Sequence, residues 1–310
     1  MTTITQQTKM TKGQTKQIIR FGSDAIERAL DELGLDNPGA QLVIHHGDEY
    51  AAAICKAAKA SLMNLSVSDK FKDEEALSEY TYPEEYKGPK PIDEQIKAVV
   101  KIFGLSPDLA LKYVKEVLPT LTLPDGAEGW FATPSDAALA AKHFPEVTDQ
   151  AEQYCRAAQL VLDKIGKSRP FHNYREGKIT SEHLRVHIRT AEAMKLIAKT
   201  QPGDILIIPA QLGMRHRGKS VRRAREVFRT DEFGLGSLAI GSIVLVHPER
   251  LVRYSELDMD CAGDEFAPGA GGDFSDAPCF VSLDGNAEFG TNAVGCFDDA
   301  YGSASAFSLQ

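Results

Sequence analysis

Residues 213–220 read GMRHRGKS, which matches the spacing of a phosphate-binding loop: glycine, four residues, glycine, lysine and serine. In such a loop the backbone N–H groups surround phosphates, the lysine reaches them, and the serine hydroxyl binds Mg²⁺. Bulky residues fill positions 214–217, where tight curling around an anion favours small ones. A basic loop that matches the pattern by chance is therefore the alternative interpretation.

The following segment, SVRRAREVF, is predicted to form a basic helix over residues 220–229. Its arginines recur at i, i+3 and i+7, a spacing that places them on one helix face. Upstream, KSRPFHNYREGK (167–178) interleaves cations with aromatic rings, a combination that suits single-stranded nucleic acid. The predicted nucleic-acid- and phosphate-binding residues are Arg215, His216, Arg217, Lys219, Ser220, Arg222, Arg225, Arg229, Arg169, Tyr174 and Arg175. The alternative is that the aromatic rings of the upstream segment only pack.

Two further groups have the residue types of metal sites. The segment 180–200 is predicted to be a helix, which would place His183 and His187 on one side of it, and imidazole is a common metal ligand. Asp260, Asp264 and Glu265 cluster in LDMDCAGDEF and could hold Mg²⁺ beside a basic surface, as in nucleases. The alternatives are histidines with structural roles and carboxylates that pair with the arginines.

Charge is distributed unevenly along the chain. The 310 residues carry a formal net charge of −9, yet residues 160–230 have a net charge of +10, and residues 231–310 have a net charge of −12. A local cluster of cations can attract an anionic partner even on an acidic protein. Alternatively, the basic block packs against the acidic one and neutralises it.

Hydrophobic periodicity predicts an α+β protein with a mainly helical N-terminal domain followed by a β-rich C-terminal domain. Short β-branched runs after residue 203, among them GDILIIP, LAIGSIVLV and PCFVSLDGNAEF, favour strands, the last with a hairpin turn. An earlier strand is predicted in QLVIHHGDE (41–49). The predicted organisation is a flexible arm (1–18), a helical domain (19–202) with a surface connection at about 66–92, and a β-rich domain (203–310) with a frayed tail.

The sequence argues against a CxxC metal or redox site, a membrane-spanning helix and a secretory signal. The five cysteines form no CxxC pair, no window has the apolar length of a membrane span, and the polar N-terminus lacks the apolar core of a secretory signal. These features predict a cytoplasmic protein without a membrane partner. The leading hypothesis is binding of a polyanion, single-stranded or structured nucleic acid, by the basic loop and helix. The alternatives are a phosphohydrolase or nuclease that uses a nucleotide or Mg²⁺, and an assembly protein that forms homo-oligomers through its oppositely charged blocks.

Overall fold

The computed structural model describes residues 11–65, 69–254, 256–283 and 285–309. The chain forms two compact units, residues 1–66 and 67–310. Within the described residues there are ten α-helices, and eleven strands form two sheets, with the strands mostly in the C-terminal half. The predicted α+β class is confirmed. None of the described helices combines the length and apolarity needed to cross a membrane.

The first unit consists of three helices that local signals start and stop. They are α1 (Lys12–Leu33), α2 (Asn37–His45) and α3 (Gly47–Leu65). Thr11 and Gln14 form a capping box at the start of α1, and Gly34 ends it in the left-handed conformation. The predicted arm is therefore helical from residue 12, while residues 1–10 lie outside the described part. The strand predicted at 41–49 is wrong, because Asp36 caps a helix that runs through it.

The second unit contains the remaining elements. The helices are α4 (Ile92–Phe103), α5 (Asp108–Glu116), α6 (Asp136–His143), α7 (Gln150–Ser168), α8 (Ile188–Thr200), α9 (Val221–Val227) and α10 (Ser237–Val246). The strands are β1 (Gly129–Pro134), β2 (Phe171–Asn173), β3 (Leu184–Val186), β4 (Ile205–Gln211), β5 (Glu232–Gly234), β6 (Asp258–Asp260), β7 (Asp264–Phe266), β8 (Asp276–Leu283), β9 (Asn286–Ala293), β10 (Tyr301–Ser303) and β11 (Ser305–Phe307).

One sheet has the strand order β1-β4-β11-β5. Every residue of β4 is buried, which explains its continuous apolar sequence. Strands β1 and β4 pair antiparallel, although they lie on opposite sides of the domain boundary predicted near 201–203. The two compact units instead divide the chain between residues 66 and 67. The second sheet has the order β10-β6-β8-β7-β3, and its β8–β9 hairpin is the predicted one.

Three sequence-based assignments in this unit are wrong. LAIGSIVLV forms α10, a helix buried on nearly every side; a short, wholly apolar run has no periodicity to distinguish it from a buried strand. The predicted helix 180–200 begins only at residue 188, because residues 184–186 pair with β7. The tail expected to fray forms β10 and β11; β10 pairs with β6, and β11 pairs with both β4 and β5.

The connection predicted at about 66–92 has no helix or strand of its own over described residues 69–91, but it is not merely a surface loop. Tyr86 is buried in the main core, and Tyr82 packs against that core. Of the five free cysteines, Cys155, Cys261 and Cys279 are buried, as expected for thiols that pack.

Candidate functional site

The GMRHRGKS loop lies between β4 and α9, which is the strand–loop–helix context of a phosphate-binding loop. Seven of its eight backbone N–H groups, however, already have acceptors among the described residues. Those of Gly213 and Arg215 donate to Gln211 Oε1, at 2.7 and 3.2 Å, and that of Gly218 donates to the carbonyl of Tyr301. The N–H groups of residues 214, 216, 219 and 220 are bonded within the chain as well. The loop therefore lacks the free donors that a phosphate needs.

Three cations of this loop and of α9, Lys219, Arg222 and Arg223, are paired with acids of the segment 69–76. Lys219 Nζ lies 3.2 Å from Glu75 Oε2. Arg222 forms a two-pronged ion pair with Glu74, which also accepts a 2.7 Å hydrogen bond from the hydroxyl of Ser220. Such a two-pronged arginine–carboxylate pair is among the stronger charged hydrogen bonds. Segment 69–76 thus neutralises much of this basic surface.

A buried polar network fixes the loop on its other side. His216 Nε2 lies 2.6 Å from Glu232 Oε1, the hydroxyl of Ser305 donates to the same oxygen at 2.6 Å, and Arg215 Nε lies 3.4 Å from it. Burial alone would raise the pKa of Glu232, but the hydrogen bond and charge of His216 and the Ser305 hydroxyl lower it to about 2. Glu232 is therefore a buried anion that holds the loop in place.

The other predicted arginine contacts also have partners within the chain. Arg225 donates to the carbonyls of residues 262 and 264, and burial lowers its pKa. Arg229 pairs with Asp231, and Arg217 donates to the carbonyl of residue 80. Upstream, Arg169 donates to the carbonyls of residues 248 and 251, and Arg175 donates to the hydroxyl of residue 291. Of the two rings, Tyr174 is exposed and Phe171 packs against the core.

The predicted metal ligands do not meet. Asp264 accepts hydrogen bonds from Tyr154 Oη and the backbone N of Ser237, both at 2.7 Å. Its neighbour Glu265 points to the opposite face of β7, as strand geometry requires, and pairs with Arg185 at 2.8 Å. Asp260 lies on β6, where burial raises its pKa to about 7.

The predicted histidine pair is separated because no helix joins it. His183 precedes β3 and has Nδ1 2.7 Å from the carbonyl of Ala267, while His187 caps α8. Burial and the charge of Arg225 lower the pKa of His187. Over the described ranges, which omit residues 1–10, 66–68, 255, 284 and 310, no group of three His, Cys, Asp or Glu side chains could hold a metal ion.

A cavity of about 770 Å³ lies elsewhere in the second unit. Its wall is built from the starts of α6, α7 and α10, one face of α8, the C-terminal end of β1, the start of β4 and two residues of β3. Most of the lining is apolar, including Ala137, Ala151, Ala191, Met194, Leu206 and Leu238. The cavity is the space that small side chains leave between the four helices and the sheet.

Polar groups lie at one end of this cavity. Thr133 and Leu206 are directly paired across β1 and β4, so their side chains are on the same face, and both line the cavity. Thr133 is 1% exposed, and its hydroxyl has no hydrogen-bond partner among the described residues. Lys195 and Lys199, one turn apart on α8, also line the cavity.

None of the cavity-lining side chains is among the residues predicted from the sequence. One signal was available in α8, where Ala191, Lys195 and Ala198 recur at helical spacing and place small and cationic side chains on one face. No local pattern indicated that α6, α7 and α10 would surround that face. No protein-family model matches this chain, and it has no match among the curated proteins or the solved structures.

Proposed function

We propose that this protein binds a small, largely apolar molecule in the cavity between α6, α7, α8, α10 and the β1–β4 edge. The observation that carries the proposal is the cavity itself: a volume of about 770 Å³ with a mainly apolar wall and a few polar groups. Ligand pockets typically have a volume of about 300–1,000 Å³ and this kind of lining.

The earlier hypotheses receive less support from the geometry. Binding of nucleic acid or nucleotide phosphate needs cations and N–H groups that are free to contact it, and those of the loop and α9 are paired within the chain. A metal-dependent nuclease needs converging carboxylates, whereas Asp260, Asp264 and Glu265 lie apart. Binding of a ligand in the cavity would require none of these ion pairs or hydrogen bonds to break.

Filling the cavity should abolish binding. Ala191 lines the cavity and is exposed at its rim, so Ala191→Trp can occupy the space without disturbing the core. Nile red, an uncharged dye that fluoresces in apolar surroundings, is the probe. We expect Ala191→Trp to weaken dye binding about tenfold or more, since the added ring displaces a comparable apolar volume.

Leu196→Trp is the matched control, because Leu196 lies on the same helix, is 59% exposed and does not line the cavity. It should bind Nile red as the wild type does. Equal dye affinity in all three proteins, with their folding verified by circular dichroism, would overturn the proposal.

A second candidate function, self-association, is favoured by α1. Ile19, Ile26, Leu30 and Leu33 lie on one face of this helix, and three of them are 62, 45 and 69% exposed (Ile19, Leu30 and Leu33). No residue of α1 is buried. Positions 19, 26 and 33 repeat every seven residues, as on helices that pair with a copy of themselves. We propose that this face packs against α1 of a second copy.

The test is the mass in solution, measured by light scattering after size exclusion. We expect the wild type to be a multimer and the double variant Ile19→Lys, Leu33→Lys to be monomeric, because two charges on the apolar face oppose pairing. Phe21→Lys is the control; Phe21 is 61% exposed but lies on the other side of the helix. A monomeric wild type, or equal masses for all three proteins, would contradict this candidate function.

A further inference from the structure

We propose that the ligand of the cavity is an anionic amphiphile, an apolar chain that ends in a carboxylate or a phosphate. This inference rests on the proposed function and specifies the chemical class of the ligand. The anionic group would lie at the end of the cavity formed by Lys195, Lys199, Thr133 and the start of α6. The chain would lie along the apolar helices.

The first support is the state of the two lysines. Lys195 and Lys199 both line the cavity and are exposed to solvent. Neither has an ion-pair or hydrogen-bond partner among the described residues, in contrast to Lys219 and Arg222 of the loop and α9. Two unpaired ammonium groups one helical turn apart attract a single anion at the mouth of an apolar cavity.

The second support is the polar group below them. The hydroxyl of Thr133 is buried without a partner in the described part of the chain, and buried hydroxyls are normally hydrogen-bonded. It lies on the cavity face of β1, two residues before Ser135, which caps α6. A ligand oxygen at this end would accept a hydrogen bond from Thr133 near the positive end of the α6 dipole.

Chain connections bring these groups to the same end. Gln201, just past α8, holds the end of that helix to β4 through two hydrogen bonds with the backbone of Ile207, at 2.8 and 2.9 Å. The carbonyl of Asp204 accepts a hydrogen bond from the N–H of Ser135 at 2.8 Å. The C-terminal turn of α8, which carries Lys199, is therefore tied to the strand that pairs with Thr133.

The other charged side chains of the lining do not cancel the positive charge of Lys195 and Lys199. Arg185 lines the cavity and pairs with Glu265, so it contributes little net charge. Among the described residues that line the cavity, Asp136 is the one carboxylate, and its Oδ1 accepts a 2.8 Å hydrogen bond from the N–H of Ala137. Two unpaired lysines against one engaged carboxylate leave this end positive, although the whole chain has a net charge of −9.

The experiment compares four probes of equal chain length: decanoate, decyl phosphate, decanol and decyltrimethylammonium. Binding is measured by displacement of Nile red from the full chain. We expect one of the anions to bind about tenfold more tightly than decanol, because two exposed ion pairs of ordinary strength together amount to about one tenfold step in Kd. The cation should bind more weakly than decanol. Whichever anion binds more tightly identifies the head group.

Variants then test whether Lys195 and Lys199 are the groups that attract the anion. Lys195→Gln with Lys199→Gln should reduce the affinity for the anion to that for decanol and leave decanol binding unchanged. Lys97→Gln with Lys101→Gln is the control, since these lysines have the same spacing on α4, are exposed and do not line the cavity. Added salt should weaken anion binding in the wild type and the control but not in the Lys195, Lys199 variant.

Chain length tests the apolar wall independently. Each methylene that enters it should tighten Kd about fourfold, so decanoate should bind roughly fifteenfold more tightly than octanoate. Decanol that binds as tightly as either anion would overturn the anionic ligand while leaving the proposed cavity intact. If none of the probes displaces Nile red, and if Ala191→Trp leaves dye binding unchanged, the proposed function itself fails.

Discussion

Replacing Glu232 by glutamine should lower the free energy of unfolding by about 3 kcal/mol at neutral pH. The Glu232 side chain is fully buried and accepts from Ser305 and from the backbone of Arg229, beside the ring of His216. These contacts lower the pKa of Glu232 from 4.5 to about 2, and a shift of this size corresponds to about 3 kcal/mol. Loss of one partner from a buried ionic network typically costs a similar amount.

The effect should depend on pH with a definite sign. Because the pKa of Glu232 is lower in the folded protein, its stabilising contribution is complete above about pH 4.5 and disappears as the pH falls toward 2. Urea denaturation should therefore separate wild type and Glu232→Gln at neutral pH, and the two curves should converge in acid. Glu116→Gln is the control, since Glu116 is 58% exposed in a loose ion pair with Lys112 and should change stability by less than about 0.5 kcal/mol. A Glu232→Gln curve that coincides with the wild type at neutral pH would show that the network is not stabilising.

Replacing Gly218 by alanine should be among the most disruptive single changes in the chain, costing more than about 3 kcal/mol or preventing folding. Gly218 has φ +73°, a conformation that costs an L-residue about 1–2 kcal/mol. An added Cβ would also overlap the carbonyl oxygen of Ala76, whose N–H donates to the Gly218 carbonyl at 2.7 Å. The substitution would push segment 69–76 away from the loop and release the acids that pair with α9.

Gly177→Ala separates the cost of the backbone conformation from the cost of the overlap with Ala76. Gly177 has nearly the same backbone angle, φ +75°, but nothing lies within 4 Å of its added Cβ. It should therefore cost only the conformational part, about 1–2 kcal/mol, in urea denaturation. Equal losses in the two variants would mean that the contact with Ala76 is unimportant. Where Gly218→Ala is too unstable for a full curve, cleavage by a protease within residues 69–76 of the native protein reports the same release.

Gly218 has a different role here from that of the equivalent glycine in a phosphate-binding loop, although the sequence pattern is the same. In a phosphate-binding loop this glycine allows the backbone to surround an anion. Here it allows the backbone of another segment to approach, and Ala76 is the neighbour. The lysine and serine that follow it contact Glu75 and Glu74 rather than a phosphate.

The sequence by itself determined the features that depend on neighbouring residues. Ser220, a residue type that favours the cap position, caps α9, and Pro202 and Gly203 follow the end of α8. The β8–β9 hairpin forms at the predicted turn, with Gly285 at φ +81°. Caps and tight turns satisfy backbone hydrogen bonds within a few residues, so local residue types are sufficient to specify them.

Only the tertiary structure decided between helix and strand for LAIGSIVLV. At Gly241 an added Cβ would lie 2.6 Å from Val161 Cγ1, so α10 packs closely on α7, a contact that no local pattern in the run specifies. Residues 184–186 likewise became a strand because β7 lies beside them to supply the hydrogen bonds. In both segments, partners distant in sequence override local preference.

The candidate functional site depended on tertiary structure even more strongly than the helices and strands did. The sequence showed that residues 160–230 are basic, but the acids that pair with Arg222 and Arg223 and accept from Ser220 lie near residue 75, about 150 positions away. A charge cluster can attract a ligand only where its own chain leaves it unpaired, as at Lys195 and Lys199. The cavity is likewise space left between elements that pack together, and no run of residues encodes it directly.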